Sequence, residues 1–321
     1  MKILREIPFA KLHGLGNDWI VVELADLQRS MPGKQWPRFA QAICERHTGV
    51  GADGLIVVVD HIGKKHPARV RFFNADGSEA EMSGNGIRCA GAYLLHAARR
   101  RSKGRPAYGA GSALPVFEIA TAAGRKVLET VNERPGEWIF RVAMGGPILD
   151  AARVPFTGTD SHGPVIRFPL PVDGQALPAT VSSMGNPHCS LFLDDLGVQR
   201  FADLDWRSLG DKIEHHAAFP NRTNVEFIRM LSEREIEVRF WERGVGPTQS
   251  SGTGSCAAVV ASILNGRARR KVRVRTLAGT LDVAWPQDGE VVLTGPAAFI
   301  AEGKHRICIQ SRGRAAAKNR P

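Results

Sequence analysis

Two short segments combine serine and glycine in the same order: EMSGNGIRCA at 81–90 and QSSGTGSCAA at 249–258. In each, Ser-Gly-X-Gly precedes a run of small residues, and we predict that a helix begins at the first glycine. A glycine-rich helix N-terminus presents unpaired backbone N–H groups at the positive end of the helix dipole, so it can bind an anion. Two such termini brought together could hold one carboxylate between them.

The serines of these motifs, Ser83 and Ser251, would then lie on opposite faces of one bound carbon atom. A two-base racemase requires this arrangement, because one group removes the α-proton and the other returns a proton from behind, while N–H groups stabilise the enolate-like charge. The arrangement calls for no cofactor and no metal. Helix capping is the commonest use of serine at such a position. Two motifs in register favour a site over capping alone.

An internal repeat connects the two motifs. A shift of 168 residues aligns 69–86 with 237–254, and six of the eighteen positions are identical. A shift of 169 pairs Gly16-Asn17 with Gly185-Asn186. Each half is then expected to contain a strand ending in Gly-Asn, a Val-Arg-Phe strand, the Ser-Gly-X-Gly turn, a buried helix ending in arginines, and a strand pair. The loop-like segment 102–114 accounts for an insertion of about 13 residues in the first half.

This order predicts two similar α+β halves related by a pseudo-twofold axis. We assign 1–143 to the N-terminal half, with a strand returning to it at about 296–311, and 144–295 to the C-terminal half. The last ten residues, 312–321, are basic and are expected to be a disordered tail. A duplicated pair of this kind tends to bind its ligand between the halves.

Composition restricts the class of protein. The five cysteines are scattered without CxxC spacing, which argues against a disulfide framework and a zinc site and indicates the cytoplasm. No apolar run is long enough for a membrane helix, so no membrane partner is expected. The net charge of +11 raises the question of nucleic acid. Much of the excess positive charge lies in three basic runs at 99–105, 267–275 and 311–320. Binding to nucleic acid is disfavoured because aromatic residues do not interleave with these runs.

Six separated segments together resemble diaminopimelate epimerases, which are cofactor-independent amino-acid racemases and epimerases. The segments are KLHGLGNDWIVV, RHTGVGADGLIVV, FFNADGSEAEMSGNGIRCAGAYL, SSMGNPHCSLF, NRTNVEFIRM and ERGVGPTQSSGTGSCAA. The resemblance runs from about residue 8 to 310. It implies two halves, each a mixed β-sheet rolled around a central helix, and a small-molecule substrate, LL-diaminopimelate, interconverted with the meso form on the route to lysine. It also makes a homodimer plausible.

By matching position, the resemblance assigns the site residues. Those that would bind the distal amino-acid end of the substrate are Asn17, Asn74, Asn186, Asn224 and Arg243, with Glu242 beside them. Those that would offer backbone N–H groups to the reacting carboxylate are Gly84, Asn85, Gly252 and Thr253. Each has a simpler alternative: Asn74 suits a turn, the other asparagines could cap strand ends, and Glu242 with Arg243 could be a solvated ion pair.

The chain departs from the family at both proposed bases, because the family has cysteine where this chain has Ser83 and Ser251. A thiol at a helix N-terminus readily forms a thiolate, whereas a serine hydroxyl needs an adjacent base. His13 and His188 lie near the Gly-Asn pairs, and one of them could approach in the folded chain.

Other residues nearby offer no obvious replacement for the missing bases. Cys89 and Cys256 are assigned to core packing. Pro247 stands where the family usually has glutamate, so an acidic side chain is lost near the second motif.

Three interpretations remain open. The first is a diaminopimelate epimerase whose cysteines have been replaced, which keeps binding but loses turnover. The second is a Ser/Ser relative acting at the α-carbon of another amino acid. The third is a non-catalytic amino-acid-binding protein on the same scaffold. We select an epimerase-type isomerase, LL- to meso-diaminopimelate by two-base α-proton transfer, that is slow or inactive with serine at both positions.

Overall fold

Alternating apolar and polar residues give this chain its strands. In Lys271–Thr276, for example, the valines are buried while the lysine and the arginines between them are exposed. The computed structural model describes residues 2–31, 33–63, 66–101, 114–160, 162–287 and 289–310. Within them lie seventeen strands: β1 Lys2–Gly14, β2 Asn17–Glu23, β3 Gly54–Asp60, β4 Ala68–Asn74, β5 Glu79–Ala80, β6 Val116–Thr121, β7 Gly124–Arg134, β8 Glu137–Gly145, β9 Val165–Val172, β10 Gln175–Ser183, β11 Pro187–Phe192, β12 Asn224–Ser232, β13 Glu235–Glu242, β14 Gly246–Thr248, β15 Lys271–Thr276, β16 Gly279–Ala284 and β17 Val291–Gln310.

Five α-helices accompany the strands within the described part of the chain. They are α1 Leu24–Ser30, α2 Trp36–Cys44, α3 Gly84–Arg101, α4 Trp206–Glu214 and α5 Gly252–Leu264. Short 3-10 turns occupy Gly33–Gln35, Ala151–Arg153, Asp194–Leu196 and Phe201–Asp203. No helix among the described residues is long and apolar enough to cross a membrane.

The first half of the sheet closes on itself. Hydrogen-bonded pairing runs β1–β2–β3–β4–β6–β7–β8 and returns through β17 to β1. Helix α3 contacts β1, β2, β3, β8 and β17, so it lies inside this ring of strands. A helix surrounded by sheet must be apolar on most sides, which explains why α3 buries Ile87, Ala90 and Leu94.

The second half repeats this arrangement around α5. Its pairing runs β9–β10–β11–β12–β13–β15–β16 and ends on β17, and α5 contacts every one of these strands from β10 to β17. The strand β17 therefore serves both halves: 292–294 pair with β16 and 298–310 pair with β1.

Further helices cover the outer faces of the strands. The α2 residues Trp36 and Phe39 pack with Ile20 and Leu55 in one apolar cluster, while Trp206 and Ile213 of α4 pack with β11 and β12 in another. Because β2 and β3 are buried on both faces, they contain continuous apolar runs rather than alternating ones, whereas the equally buried β11 and the start of β12 include polar residues such as His188 and Glu226.

The α+β class and the two halves with central helices are confirmed. Two details differ from the sequence prediction. Gly16 and Gly185, with φ of 81° and 99°, lie in turns between antiparallel strands rather than at strand ends. Helix α5 ends at Leu264, before the arginines that the prediction placed at its end.

Some assignments made from the sequence remain predictions. The insertion at 102–114, apart from Leu114, and the tail at 312–321 lie outside the described residues. The boundaries of the two halves remain a prediction, although β17 spans the segment where the second half was expected to end and the returning strand to begin.

Candidate active site

The N-termini of the two central helices abut. A methyl group on Gly84 would lie 3.1 Å from the Cα of Gly252, and one on Gly252 would lie 2.9 Å from the Cα of Gly84. Only glycine allows two backbones to approach this closely. The two Ser-Gly-X-Gly segments, separated by 168 residues in sequence, therefore meet at one place where both halves join.

Four backbone amides at this junction have no hydrogen-bond acceptor among the described residues. Within α3, Ile87 N–H donates to the Ser83 carbonyl and Gly86 N–H to the Ser83 hydroxyl, and α5 uses its equivalents in the same way. The amides left over are those of Gly84, Asn85, Gly252 and Thr253. Unpaired amides at the positive ends of two dipoles constitute an anion site.

Both serines cap their helices. Ser83 Oγ accepts from Gly86 N–H at 3.1 Å and Ser251 Oγ accepts from Gly254 N–H at 3.2 Å. Each hydroxyl uses a lone pair for the cap, so its proton stays free to be donated elsewhere. Capping and a role at the site are thus compatible in this geometry.

A carboxyl group lies beside Ser251. Glu242 ends β13, and its Oε1 accepts from the Thr248 hydroxyl at 2.6 Å because the β13–β14 hairpin brings 242 opposite 246. Burial raises the pKa of Glu242, and hydrogen bonds from Thr248 and Ser251 partly offset that rise. Glu242 thus lies next to the serine, whereas the sequence placed it at the distal end of the substrate.

Among the described residues, no carboxyl group forms a hydrogen bond with the Ser83 side chain. The hydrogen bond of Ser83 Oγ within the described structure is the cap itself. Cys89 and Cys256, a few residues inside α3 and α5, are fully buried, and burial raises the pKa of each thiol to about 12. They are core residues, as expected, and burial keeps both thiols protonated at neutral pH.

His188 is held by acceptors on both ring nitrogens. Its Nδ1 lies 2.6 Å from Oε1 of Glu226, and its Nε2 lies 2.9 Å from Oδ1 of Asn186. All three come from the neighbouring strands β11 and β12 and the turn before them, and the imidazole and Glu226 are buried. His188 also acts electrostatically on Glu242, so both groups belong to the same part of the site. His13, in contrast, accepts the Gly16 N–H within its own hairpin.

Asn224 and Arg243 are joined through the backbone. The buried amide of Asn224 donates to the Pro187 carbonyl at 2.8 Å and accepts from the Arg243 N–H at 3.0 Å. The exposed Arg243 guanidinium donates to the Asn221 carbonyl at 3.1 Å. Glu214 on α4 fixes the same turn, because it accepts from Gly244 N–H at 2.8 Å. The structure thus holds Arg243 at the rim in a defined turn.

Two asparagines of the first half lie at the same end of neighbouring strands, because Asn17 begins β2 and Asn74 ends β4, with β3 between them. Asn17 Nδ2 donates to Asp53 at 2.9 Å, and its Oδ1 accepts from Trp19 Nε1 at 2.6 Å, which fixes the orientation of the amide. Asn74 is exposed, donates to the Ser78 hydroxyl at 2.9 Å, and closes a turn. The simpler assignment of Asn74 as a turn residue therefore describes its present contacts.

The structure brings together the four backbone amides, both serines, Glu242 and the His188–Asn186 pair. Asn17 and Asn74 lie at the same end of the strands of the first half. Sequence reasoning missed the residues that support these groups: Arg88, Glu214 and Glu226. Arg88 lies inside the small-residue run of a predicted helix and Glu226 inside the apolar segment NVEFI, which is a weak signal of a buried role, whereas the polar sequence around Glu214 carries no such signal.

At the C-terminal end of α4, three described residues have metal-ligating atoms close together: Asp211, Glu214 and His215. Glu214 already accepts from Trp241 Nε1 and Gly244 N–H, so the cluster is explained by its protein contacts.

Among the described residues, several arginines of the basic runs at 99–105 and 267–275 form ion pairs within the protein. Arg267 pairs with Asp194 and Asp195, and Arg100 pairs with Glu302.

Comparison with known proteins gives a consistent result. The family model described as diaminopimelate epimerase matches residues 9–148 and 180–300. The diaminopimelate epimerase of Desulfitobacterium hafniense is 42% identical over 294 residues, covering 91% of this chain and 96% of the relative. That of Desulforudis audaxviator is 42% identical over 297 residues, covering 92% and 98%.

Solved structures share the fold. A hydroxyproline epimerase from Agrobacterium vitis superposes with a TM-score of 0.63 at 15% identity, over 97% of this chain and 95% of that one. A methylitaconate-delta-isomerase gives a TM-score of 0.59 at 15% identity, over 95% and 96%. At this level of identity the likeness concerns the fold alone.

Proposed function

The chain belongs to the diaminopimelate epimerase family, and from this premise we propose that it moves the α-proton of diaminopimelate between two faces, interconverting the LL and meso forms. The enzyme is an isomerase of the epimerase type. Relatives that share about 40% of their residues over more than nine tenths of the chain do not favour the two alternatives, a different amino acid or a non-catalytic binding protein.

The observation that supports this proposal best is the set of four unpaired amides at the abutting helix ends. The reacting carboxylate binds there, between Gly84, Asn85, Gly252 and Thr253. As the α-proton leaves, negative charge spreads onto the carboxylate oxygens, and the fixed N–H groups stabilise it without having to reorient. The distal amino-acid end is bound by Asn17, Asn74, Asn186, Asn224 and Arg243.

The two faces of the α-carbon are unequal in this chain. On one face, Ser251 donates its hydroxyl proton toward Glu242, so the carboxylate can take that proton as the serine accepts one from the substrate. On the other face Ser83 has no such partner within the described structure. Proton removal and return are therefore faster on the Ser251 face, and complete inversion, which needs both faces, is slow.

This asymmetry gives a test that separates the two faces. LL- and meso-diaminopimelate are each incubated with the protein in deuterated water and followed by proton NMR. We expect one isomer to exchange its α-proton with retention, faster than either isomer inverts. Inversion that is as fast as exchange from both isomers would contradict an inactive Ser83 face.

A matched variant tests the assignment of the bases. The double change Ser83→Cys and Ser251→Cys restores thiols at both helix ends, and we expect inversion to increase by at least about 100-fold. The double change to alanine is the control, because it removes both hydroxyls, and it should show no exchange. If the alanine control still exchanges, neither serine is a base. If the cysteine variant neither exchanges nor binds diaminopimelate, the substrate assignment is wrong.

Localisation and assembly are further parts of the proposal. We place the protein in the cytoplasm, which is supported by four cysteines, Cys44, Cys89, Cys189 and Cys256, that are buried and unpaired. We propose a homodimer on the basis of family membership. Sedimentation equilibrium of the full chain would contradict it by giving the mass of a monomer at micromolar concentration.

A further inference from the structure

Arg88 is the largest fully buried side chain in the part of the chain that the structure describes, and its burial lacks the usual explanation. Its exposed fraction is 0%, and no carboxylate of the described residues lies within 4 Å of its guanidinium. Buried charges are normally paired, because desolvation without a partner is costly. The titratable groups that act on Arg88 electrostatically are the thiols of Cys89 and Cys256.

The guanidinium instead donates hydrogen bonds to two groups at the start of its own helix and to one carbonyl of β17. Its NH1 donates to the Gly84 carbonyl at 2.7 Å, its NH2 to Asn85 Oδ1 at 2.8 Å, and its Nε to the Pro296 carbonyl at 3.1 Å. Gly84 and Asn85 carry two of the four unpaired amides. The charge of Arg88 therefore lies next to the proposed anion site and adds to the positive end of the α3 dipole.

The surrounding strands leave room for this group. A methyl on Gly14 of β1 would lie 3.1 Å from the NH2 of Arg88, and a methyl on Gly295 of β17 would lie 3.4 Å from its Cζ. Asn85 in turn donates to the Ser250 carbonyl at 3.4 Å, across the junction with the second half. Arg88 thus fixes the side-chain amide of Asn85, and that side chain connects the two helix ends.

The repeat shows that only one half has this charge. The shift of 168 residues that aligns the two motifs places Cys256 at the position equivalent to Arg88. Burial lowers the pKa of Arg88 to about 10, so the group is still a cation at neutral pH.

We propose that Arg88 is a positioning residue that supplies the buried counter-charge for the substrate carboxylate, acting mainly at the α3 end of the site. Its charge balances the carboxylate when substrate binds and stabilises any anion formed at position 83, while its bonds keep Gly84 and Asn85 in place. The inference rests on the proposed function for the identity of the anion, but the charge itself can be measured without substrate.

The experiment uses a single thiol as a probe of the local charge. Ser83→Cys and Ser251→Cys are made separately, each with and without Arg88→Gln, and the thiolate absorbance is titrated as a difference against the same chain with serine. We expect Arg88→Gln to raise the pKa of the thiol at 83 by about one unit, a tenfold change, and that of the thiol at 251 by clearly less. Equal shifts at both positions, or no shift at 83, would overturn the proposal.

Two further variants separate charge from structure. Cys256→Ala removes buried atoms at the equivalent position of α5 without changing charge, and the thiol at 83 should titrate as before. Arg88→Lys keeps the charge, so the pKa at 83 should stay within a few tenths of its value with arginine. If Arg88→Gln does not fold, the lysine variant carries the test, and a rise of a full unit there would show that the charge is not what lowers the thiol pKa.

A kinetic readout connects the charge to the substrate. In the chain with Ser83→Cys and Ser251→Cys, Arg88→Gln should raise KM for diaminopimelate roughly tenfold, and Arg88→Lys should recover most of it. If the thiol pKa shifts but KM does not change, Arg88 stabilises the anion at position 83 and the proposed counter-charge for the substrate carboxylate is wrong. If the double-cysteine chain has no activity while the thiol pKa still shifts, the proposed function fails but the counter-charge stands.

Discussion

Glu242 changes what can be expected of Ser251. A serine hydroxyl is a weak base by itself, and neither motif has a histidine one or two residues away. The β13–β14 hairpin supplies one from nine residues upstream by bringing Glu242 to both Thr248 and Ser251. The Ser251 side therefore has a carboxyl group even though position 247 is proline.

The change Glu242→Gln should abolish this assistance. Glutamine keeps the size and can accept from Thr248, but it cannot take the Ser251 proton. We expect α-proton exchange to fall by about 100-fold or more, measured by NMR in deuterated water. In the native chain, exchange should decline on the acid side with a midpoint above 4.5, because burial raises the pKa of Glu242. A Gln variant with undiminished exchange would remove Glu242 from the proton path.

The same raised pKa predicts a stability difference with a definite sign. A carboxyl whose pKa is raised on folding contributes stability below its unfolded value of 4.5 and loses it as pH rises through the folded pKa. Glu242→Gln should therefore be more stable than the native chain at neutral pH, and the difference should shrink as pH falls toward 4.5.

Glu79 provides a control of opposite sign for this stability measurement. Its pKa is lowered by hydrogen bonding to Arg71, so Glu79→Gln should lower the free energy of unfolding at neutral pH. Urea unfolding at pH 4.5 and 7.5 measures both variants. Loss of stability in Glu242→Gln at neutral pH would mean that its hydrogen bonds outweigh its desolvation.

The sequence predicts unpaired N–H groups where a helix end itself defines them, while the role of these residues in binding stays a prediction. Gly84, Asn85, Gly252 and Thr253 present unpaired amides, as Ser-Gly-X-Gly followed by small residues indicated. The positions of Glu242 and Glu226 could not be derived in this way, because strand pairing decides which side chains meet. Only the register of β11 on β12 places His188 within reach of Glu226, two residues beyond Asn224.

At the level of elements, the ends of the central helices are determined by local signals that the sequence contains. Helix α5 ends at Leu264 because Gly266, with φ of 68°, takes the left-handed conformation. Its N–H donates to the Ile263 carbonyl and that of Arg267 to the Ser262 carbonyl, which forms a Schellman motif. The prediction followed the arginines instead of this glycine, and Arg267 pairs with Asp194 beyond the helix.

The close approach of α3 and α5 makes both first glycines intolerant of a side chain. Gly252→Ala would place a methyl 2.9 Å from the Gly84 Cα, where only backbone movement can relieve the contact. We expect a loss of about 1–3 kcal/mol in the free energy of unfolding, together with weaker diaminopimelate binding. Urea titration and calorimetric binding measure the two effects. Gly146→Ala is the matched control, since its methyl would meet no atom within 4 Å. An unaffected Gly252→Ala variant would mean that the helix ends are further apart than described.

At the scale of the whole molecule, duplication has not produced two independent units. Strand β17 pairs with β16 and β8 near its start and with β1 along its later part, so it belongs to both halves. The largest apolar cluster includes residues of both central helices, among them Ile87 and Val260. The repeat in the sequence indicated two halves but not this shared core, because the returning strand is outside the aligned segments.

A shared core predicts one cooperative unfolding transition. Residues in one contiguous cluster lose their packing together, so amides of α3 and α5 should lose protection from hydrogen exchange at the same urea concentration, measured by mass spectrometry of peptides from each helix. Deleting 298–321 removes the partner of β1 and opens the first ring of strands; it should lower protection in both helices equally, although α5 lies in the other half. Deleting only 312–321, which the sequence predicts to be a disordered tail, should change neither. Independent halves would give the opposite pattern, with α5 retaining its protection after the first half has opened.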